Sequence, residues 1–288
     1  MKLLTYSLNG RDWVGALDDD GQNIQPIEEY ASMQELIESG VSALELAANA
    51  KRGRNLVPIA DAVKRPPIPH PKQDIICLGW NYAAHMEESM KARGVSPGEG
   101  NRHAVYFSKR VSETTADGGL IPGHRDITED SLDYETELAL IIGRDAYKVE
   151  REAAFDHVFG YTVFNDVSAR NLQKLHQQFY FGKSLSGFCP MGPWIVTEDE
   201  FKRPPSLRLC TRVNGEIRQD SNTDLMTFDI PHIISELSKG IVLKAGTIIA
   251  TGTPSGVGMG FTPPRYLRTG DIVECEIQGI GLLRNEVE

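Results

Sequence analysis

Residues 134–143 read YETELALIIG, and this stretch decides the fold of the chain. Its apolar second half is typical of a strand that is buried on both faces. Glu135 and Glu137 precede that half two positions apart, so on a strand both carboxylates project from one face, about 6.6 Å apart along it. Two like charges so placed cost free energy unless solvent screens them or a cation lies between them. Because Glu137 leads directly into the apolar run, the context favours the cation.

A second apolar run, GYTVFND at residues 160–166, ends in Asp166, which is a third candidate ligand. The glutamate pair begins its strand, whereas Asp166 ends its own. In parallel neighbours these ends would lie about 20 Å apart, at roughly 3.3 Å per residue. If all three acids bind one ion, the two strands must therefore run in opposite directions or splay so that these ends meet.

The ligand types indicate which ion this site would take. Three carboxylates without a nearby Cys or His favour a hard cation, Mg²⁺ or Mn²⁺. Octahedral coordination then leaves about three of six positions open for water and substrate. Open positions are more typical of a catalytic site than of a purely structural one.

The remaining chain beyond residue 74 is mostly strand-like. Strand patterns occur in PWIVT (193–197), LRLCTRVNGEIRQD (207–220), GTIIATG (246–252) and DIVECEIQGIGLLRNEV (271–287). Asn214 and Gly215 predict a type I′ hairpin within the second of these segments. Helical patterns occur in KVEREAAFDHVFG (148–160) and MTFDIPHIISELSKG (226–240). The sequence therefore predicts an α+β fold that is mostly β.

The first 65 residues differ from the rest. Short alternating runs broken by Asn-Gly, Asp and Gly predict antiparallel strands. Residues 32–53 then have apolar side chains at helical spacing, with Ser32 as the N-cap. A proline-rich polar stretch follows. We predict a small N-terminal α+β domain at 1–65, a linker at 66–73 and a large, mostly β domain at 74–288.

The net charge excludes some partners. Thirty Lys plus Arg against forty Asp plus Glu leave a formal charge of −10 in 288 residues, which argues against nucleic acid as a partner. The chain shows no signal-peptide pattern and no apolar run of about 20 residues, so we predict a cytoplasmic protein without a membrane partner. Such an acidic chain repels small anions at long range, which raises the question of whether some of its acids surround a cation.

Several common motifs are absent. The cysteines form no CxxC pair and are predicted to be reduced, mostly buried thiols: Cys77, Cys189, Cys210 and Cys275. Gly182-Lys183-Ser184 resembles the end of a P-loop, but Gln177 stands where the first glycine is needed. Glycines at 256, 258 and 260 lack the strand and helix of a dinucleotide fingerprint. There is neither a GxSxG nor an HExxH sequence.

Six motifs in order make the sequence resemble the fumarylacetoacetate hydrolase family over residues 71–288. They are GWNYAAH (79–85), YETELALIIG (134–143), YTVFNDVSARN (161–171), GKSLSGFCPMGPWIV (182–196), VNGEIRQ (213–219) and IIATGTPSGVG (248–258). The first 65 residues resemble the short N-terminal domain of many bacterial members. The resemblance implies that 74–288 is the catalytic domain, with mixed sheets rolled into a barrel-like core, and it implies a homodimer and a divalent metal on Glu135, Glu137 and Asp166.

His85 and Glu88 lie three positions apart, so on a helix they share a face and the carboxylate can orient the imidazole. From the residues alone, a surface pair is the favoured interpretation. The resemblance implies a catalytic dyad that activates water. The Gly-rich segment 91–101 that follows predicts a flexible lid, which completes the dyad when substrate binds.

The resemblance also implies residues that bind substrate. Lys183 matches the catalytic lysine of the family, which holds a carboxylate or an oxyanion. Arg170 and Gln173 follow the aspartate ligand by four and seven positions, so both are expected on one helical face lining the site. Tyr180 and Phe181 are candidates for the pocket wall, with core packing as the alternative.

Two further segments are weaker candidates for substrate binding. Lys109 matches a family lysine near the site, although its neighbour Arg110 could point inward instead. The turn at 251–254 follows an apolar strand. Its backbone N–H groups, that of Gly252 included, and the Thr253 hydroxyl could hold a carboxylate, or the segment is an ordinary tight turn.

The resemblance implies metal-assisted chemistry on 2-oxo acids, usually acylpyruvates. Our first hypothesis is hydrolysis of the C–C bond of an acylpyruvate to pyruvate and a carboxylic acid. A decarboxylase of oxaloacetate and an isomerase of unsaturated 2-oxo diacids in aromatic catabolism would pass through the same enolate, so both stay open. A non-catalytic metabolite-binding protein is the alternative from another class, and it fits poorly because the dyad and the lysine are both kept.

Overall fold

A computed structural model describes residues 1–42, 45–46, 56–92, 94 and 103–288, and in this part of the chain strands predominate. The strands are β1 (Lys2–Leu8), β2 (Arg11–Leu17), β3 (Asn23–Pro26), β4 (Val57–Pro58), β5 (Val63–Lys64), β6 (Ile75–Gly79), β7 (Val105–Lys109), β8 (Leu120–Ile121), β9 (Leu132–Asp133), β10 (Thr136–Ile142), β11 (Val158–Asn165), β12 (Ser168–Ala169), β13 (Met191–Thr197), β14 (Arg208–Val213), β15 (Glu216–Asn222), β16 (Ile248–Ala250), β17 (Ile272–Ile277) and β18 (Gly281–Val287).

These strands form two large mixed sheets and one small sheet. The largest has 11 strands in the order β4-β3-β2-β1-β13-β11-β10-β16-β6-β7, with β5 also paired to β1. The second has five strands in the order β15-β14-β17-β18-β8, and β12 pairs with β9. Only the β16–β6 and β18–β8 pairs are parallel among the described strands. The mostly β prediction is confirmed, but neither large sheet closes on itself in the described residues, so the core is not a barrel.

Strand β10 lies at the centre of the fold because both its faces are apolar. Leu138, Leu140 and Ile142 belong to a core shared with the five-stranded sheet. Ala139 and Ile141, on the opposite face, belong to a second core that includes the first α-helix. The alternation follows from the two-residue period of a strand. The alternation confirms that this strand is buried on both sides. It also places Glu137 on the same face as Ala139 and Ile141.

Helices are short in the described part of the chain. The α-helices are α1 (Met33–Glu38), α2 (Ala83–Ala92), α3 (Arg125–Thr128), α4 (Arg170–His176), α5 (Phe179–Lys183) and α6 (Ile230–Ser238), and 3₁₀ helices span Ile59–Asp61, Arg151–His157, Glu198–Glu200, Thr223–Leu225 and Gly258–Gly260. Ser32 caps α1 as predicted, with its side chain accepting a hydrogen bond from the Glu35 N–H. None of the described helices is long and apolar enough to span a membrane.

Three local predictions can be compared with these elements. The helix predicted at 32–53 ends early, since a turn follows Glu38, and most of its remainder lies outside the described residues. The predicted helix at 148–160 is a 3₁₀ turn of seven residues. The hairpin prediction is confirmed, because Asn214 and Gly215 have φ of 52° and 79° and join β14 to β15. The four cysteines are buried and free, as predicted.

The N-terminal strands are part of the large sheet. Strand β1 pairs antiparallel with β13, with Lys2 opposite Val196 and Leu3 opposite Ile195. Leu3 also shares a core with residues of β6 and β10. The division of the chain into two domains stays a prediction, but these strands extend the sheet that carries the site.

Gly160 in β11 is expected to be essential for stability. A β-carbon there would overlap the Val196 carbonyl oxygen and lie 2.9 Å from the Ile195 side chain. We expect Gly160→Ala to lower the free energy of unfolding by about 1–3 kcal/mol, as measured by urea denaturation. Gly240→Ala is the control, since its added carbon meets no atom of the described residues within 4 Å. Equal stability of the two variants would contradict the prediction.

Candidate metal and active site

The antiparallel pairing of β10 and β11 brings three acids together. Thr136 pairs with Asn165 at the end of this hairpin-like pair, so Glu135 just before β10 meets Asp166 just after β11. The Asp166 N–H donates to the Glu135 carbonyl at 2.8 Å. One carboxylate oxygen from each of Glu135, Glu137 and Asp166 lies within 4.8 Å of the others. The opposite strand directions required by the sequence argument are therefore present.

Cations compensate two of these buried carboxylates. Glu135 accepts hydrogen bonds from Lys183 Nζ and Arg170 Nη2, both at 2.6 Å. Asp166 accepts from Lys183 Nζ at 2.6 Å and from Lys109 Nζ at 2.5 Å. Burial acts to raise the pKa of Glu135, but the charges of Lys183 and Arg170 hold it well below its usual range. Glu135 is therefore ionised despite its burial.

Glu137 has a different environment. Its Oε2 accepts the Gly252 N–H at 2.8 Å, whereas its Oε1 is buried without a partner among the described residues. Burial, and then the charges of Asp166 and Glu135, raise the pKa of Glu137 well above its usual range. A cation beside Oε1 would satisfy this oxygen and remove the repulsion. The three acids thus fit a hard divalent cation in donor type and in charge, although the structure does not identify the ion.

Arg170 and Lys183 approach the acids from two consecutive helices. Arg170 begins α4 and spreads its guanidinium over Glu135, Asp133 (Nε to Oδ2, 2.8 Å) and Gln173 (Nη1 to Oε1, 3.0 Å). Arg170 and Gln173 therefore share a helical face toward the site, as the spacing predicted. Burial acts to lower the pKa of Lys183, but the charges of Asp166 and Glu135 raise it above its usual value.

His85 and Glu88 lie on α2, with 3.3 Å between His85 Nδ1 and Glu88 Oε2. His85 is only 5 % exposed, so this is not a surface pair. Glu88 also accepts the Gly256 N–H, at 2.9 Å to Oε1. With Nδ1 engaged by the carboxylate, Nε2 is the nitrogen able to exchange a proton. Most of the predicted lid at 91–101 lies outside the described residues.

One small cavity joins the acids to this His–Glu pair. Its polar wall contains His85, Glu135, Glu137, Arg170, Gln173, Lys183 and Thr253. Its apolar wall contains Leu78, Trp80, Phe107, Phe179 and Met259. His85 lies in the same lining as Glu135 and Glu137, so the imidazole and these two acids share the cavity. The cavity therefore combines two acids of the candidate cation site, a histidine and an apolar wall.

Lys109 is close to the site but not in the cavity. Its side chain is fully buried and bonds Asp166 together with the carbonyl oxygens of Val167 (3.0 Å) and Phe188 (2.7 Å). Arg110 is exposed, so the lysine is the inward-pointing member of the pair. Lys109 was predicted to bind substrate. It instead bonds Asp166 and two backbone carbonyl oxygens outside the cavity.

The turn after β16 holds a protein carboxylate. The Gly252 N–H donates to Glu137, and Gly252 has φ of +96° with the Asn81 β-carbon only 2.7 Å from where its own would be. The Thr253 hydroxyl donates to the Thr136 carbonyl at 2.9 Å. Gly252 and Thr253 were predicted to bind a substrate carboxylate. The Gly252 N–H and the Thr253 hydroxyl instead bond Glu137 and the first residue of β10, and of the two residues only Thr253 lines the cavity.

Of the aromatic residues of α5, Phe179 lines the cavity, whereas Tyr180 and Phe181 do not. Tyr180 and Phe181 are 47 % and 44 % exposed. In α5 the residues four apart share a face, so Phe179 joins Lys183 on the inward side and the next two residues point outward. The predicted placement of Tyr180 in the pocket wall is therefore wrong by one position.

Sequence analysis missed three polar residues that organise the site. Asp133 bonds Arg170, Asn165 Oδ1 accepts the Glu135 N–H at 3.0 Å, and Gln219 Oε1 accepts the Thr136 N–H at 3.1 Å. The alternation of acids in DYETE signals Asp133, since it shares the strand face of the glutamate pair. No comparable pattern marks Gln219, which is 83 residues from its partner.

Comparison with known proteins agrees with this arrangement. Residues 74–288 match the model for the fumarylacetoacetate (FAA) hydrolase C-terminal domain. The chain is similar to the oxaloacetate tautomerase YisK of Bacillus subtilis, at 42% identity over the whole length of both proteins.

Two solved structures are also similar. One is a fumarylacetoacetate hydrolase from Exiguobacterium antarcticum, with a TM-score of 0.87 and 39% identity over 100% of this chain and 99% of that one. The other is a 2-hydroxyhepta-2,4-diene-1,7-dioate isomerase from Mycobacterium marinum, with a TM-score of 0.74 and 30% identity over 100% and 98%. The six ordered motifs, the fold and these matches together show that the chain belongs to the fumarylacetoacetate hydrolase family.

Proposed function

We propose that this protein interconverts the keto and enol forms of a small 2-oxo acid in a reaction that depends on a divalent cation. Oxaloacetate is the first substrate to test, because the Bacillus relative that matches the full chain is named for that reaction. The observation that carries the proposal is the cavity itself, which His85 lines together with Glu135 and Glu137, with Glu88 behind the imidazole. Enolisation needs this pairing of a Lewis acid with a proton-transferring group.

The residues divide this work in a consistent way. A divalent cation held by Glu135, Glu137 and Asp166 would polarise the 2-oxo group. His85 Nε2 removes a proton from C3 of the keto form and then donates it to the 2-oxygen, which gives the enol and returns the imidazole to its starting state. The reverse direction retraces both transfers, while Glu88 holds Nδ1. Lys183 fixes the positions of two ligand carboxylates. The aromatic wall excludes water, which strengthens each of these charge interactions.

The local charge supports an anionic substrate. The three acids and the two cavity cations, Lys183 and Arg170, leave one net negative charge, and a divalent cation reverses it to one net positive charge. A site of this sign attracts a 2-oxo acid even though the whole chain carries −10. The acidic composition therefore does not oppose an anionic substrate at this position.

The His85→Asn variant tests the proposal. We expect the rate of oxaloacetate keto–enol exchange, followed by loss of enol absorbance, to fall about 100-fold to 10,000-fold because the proton-transferring group is gone. Binding of Mn²⁺ should be unchanged. His232→Asn is the matched control, since His232 pairs with Glu236 at 3.2 Å outside the cavity. A wild-type protein without metal-dependent exchange, or a variant as active as the control, would refute the proposal.

Hydrolysis of acylpyruvates is the second candidate. It is supported by the same His–Glu pair, which could activate water, and by the likeness to the Exiguobacterium hydrolase. A panel of acylpyruvates, oxaloacetate and unsaturated 2-oxo diacids distinguishes the candidates when pyruvate and CO₂ are both measured. Pyruvate release from acylpyruvates that is lost in His85→Ala favours hydrolysis, whereas retained CO₂ release from oxaloacetate in that variant favours decarboxylation.

A further inference from the structure

Asp133 is a fully buried carboxylate that does not line the cavity. Its Oδ1 accepts the N–H groups of Tyr134 at 3.0 Å and Gly258 at 2.6 Å. Its Oδ2 accepts the Met259 N–H at 3.0 Å and Arg170 Nε at 2.8 Å. All four partners are donors, so this position needs a side chain with two acceptor oxygens.

One side of Asp133 leads to the cation site. The guanidinium that donates Nε to Asp133 also donates Nη2 to Glu135 at 2.6 Å. A planar guanidinium held at two points cannot rotate away from either acid. Asp133 therefore fixes the orientation in which Arg170 presents itself to a candidate metal ligand.

The other side leads to the His–Glu pair. Gly258 and Met259 belong to segment 256–260, and the first residue of this segment donates its N–H to Glu88 at 2.9 Å. The last residue, Gly260, packs so closely on the Glu88 carboxylate that a β-carbon would overlap it. Segment 256–260 thus encloses Glu88 at both ends, while Asp133 holds its middle.

We propose that Asp133 is a positioning residue that ties the cation site to the proton-transferring pair. The connection runs from Glu135 through Arg170 to Asp133, and from there through segment 256–260 to Glu88 and His85. A single carboxylate holds two arms, Arg170 on the cation side and segment 256–260 on the Glu88 side. Displacement of one arm is therefore transmitted to the other. The catalytic consequence rests on the proposed function, whereas the mechanical connection does not.

Two variants separate the arms. Asp133→Asn keeps the shape but turns an amide NH₂ toward donors, so both arms should loosen. Gly258→Ala places a β-carbon 2.6 Å from Asp133 Oδ1 and 2.5 Å from the Arg265 carbonyl, which displaces the segment from Asp133 while the Asp133 carboxylate itself is kept. Glu198→Gln is the control, since Glu198 is also buried and paired with an arginine (Arg203, 2.7 Å) but lies outside the cavity.

The test combines three measurements on the full chain. Hydrogen exchange reports protection of the 256–260 amides, Mn²⁺ titration reports cation affinity, and kcat and KM are determined for keto–enol exchange. In Asp133→Asn we expect protection and cation affinity each to fall by about 10-fold to 100-fold, with kcat falling more than KM rises. In Gly258→Ala, protection and kcat should fall, and cation affinity should fall by a smaller factor than in Asp133→Asn, because the displacement reaches Glu135 only through Asp133 and Arg170.

The outcomes are decisive even if the proposed function is wrong. If the wild type shows no turnover, hydrogen-exchange protection of the 256–260 amides and Mn²⁺ affinity still test whether Asp133 connects the two sites. Only the catalytic consequence of the connection is then untestable by turnover. If Asp133→Asn does not fold, Gly258→Ala decides alone through the protection of the remaining amides of the segment. Asp133→Asn with protection and affinity equal to those of Glu198→Gln, or Gly258→Ala with wild-type protection, would overturn the proposal.

Discussion

Glu137→Gln should abolish metal-dependent turnover and at the same time stabilise the metal-free protein. Glu137 is buried beside Asp166 and Glu135, and its Oε1 has no partner among the described residues. The amide oxygen can still accept the Gly252 N–H, while the new NH₂ faces acceptors instead of repelling them. We expect the free energy of unfolding without metal to rise by about 1–3 kcal/mol, and the thermal stabilisation by Mg²⁺ to disappear.

The pH dependence gives this prediction a sign. Burial and neighbouring acids raise the folded-state pKa of Glu137 above its unfolded value of about 4.3. Its ionisation therefore destabilises the metal-free fold progressively as pH rises from the unfolded pKa through the folded pKa. Glu137→Gln lacks this loss of folding stability. Its free energy of unfolding should therefore exceed that of the wild type by an amount that grows between the two pKa values and is absent below the unfolded-state pKa. Thermal unfolding at several pH values with EDTA measures the difference.

A buried acid that is paired provides the contrast. Glu198→Gln removes a carboxylate held by the Arg203 guanidinium at 2.7 and 2.8 Å, so it should lower stability at neutral pH. If Glu137→Gln destabilises the metal-free protein as much as Glu198→Gln does, the assignment of Glu137 as an uncompensated cation ligand is wrong. Retained turnover in this variant, or turnover of the wild type in EDTA, would contradict the metal requirement itself.

Lys183→Met should destabilise the protein by about 3–5 kcal/mol, because it removes the partner of two buried carboxylates at once. Lys183 Nζ lies 2.6 Å from both Glu135 and Asp166, and the lysine side chain is 3% exposed. Mg²⁺ should restore much of this loss, since a divalent cation supplies charge between the same acids. Urea denaturation with and without Mg²⁺ measures both effects, and turnover should remain low even when the ion is present.

Lys244→Met is the control for this variant. Lys244 also contacts an acid at 2.6 Å, Asp145, but both side chains are half-exposed. A surface pair of this kind contributes about 0–1 kcal/mol. If the two lysine variants lose equal stability, or if Mg²⁺ stabilises both equally, Lys183 does not compensate the acid cluster.

The clustering of the three acids could be predicted because its determinants are local. Glu135 and Glu137 share a strand face by alternation, and Asp166 ends the next strand in the chain. The antiparallel direction of β10 and β11 then brings these ends together. His85 and Glu88 were equally accessible, since three positions along a helix define one face. In each case the geometry follows from residues within one element or two consecutive strands.

The errors arise where a side chain depends on distant partners. Whether Lys109 enters the cavity depends on Asp166, 57 residues away, and on the carbonyl of Phe188, 79 residues away. Asp133 meets Gly258 across 125 residues. Tyr180 was misplaced because a five-residue helix is too short to show a periodic pattern. The pairing of β1 with β13 joins positions almost 200 residues apart, and no local signal marks it.

That last pairing has a consequence for anyone who divides the chain at its family boundary. Strand β13 lies between β1 and β11, but β1 precedes residue 74, where the family match begins. A fragment of residues 74–288 would expose the unpaired N–H and C=O groups of β13 beside the strand that leads to Asp166. Open edges of this kind template intermolecular pairing and aggregation. Strands β1 and β2 therefore cover an edge of the sheet that carries the candidate site.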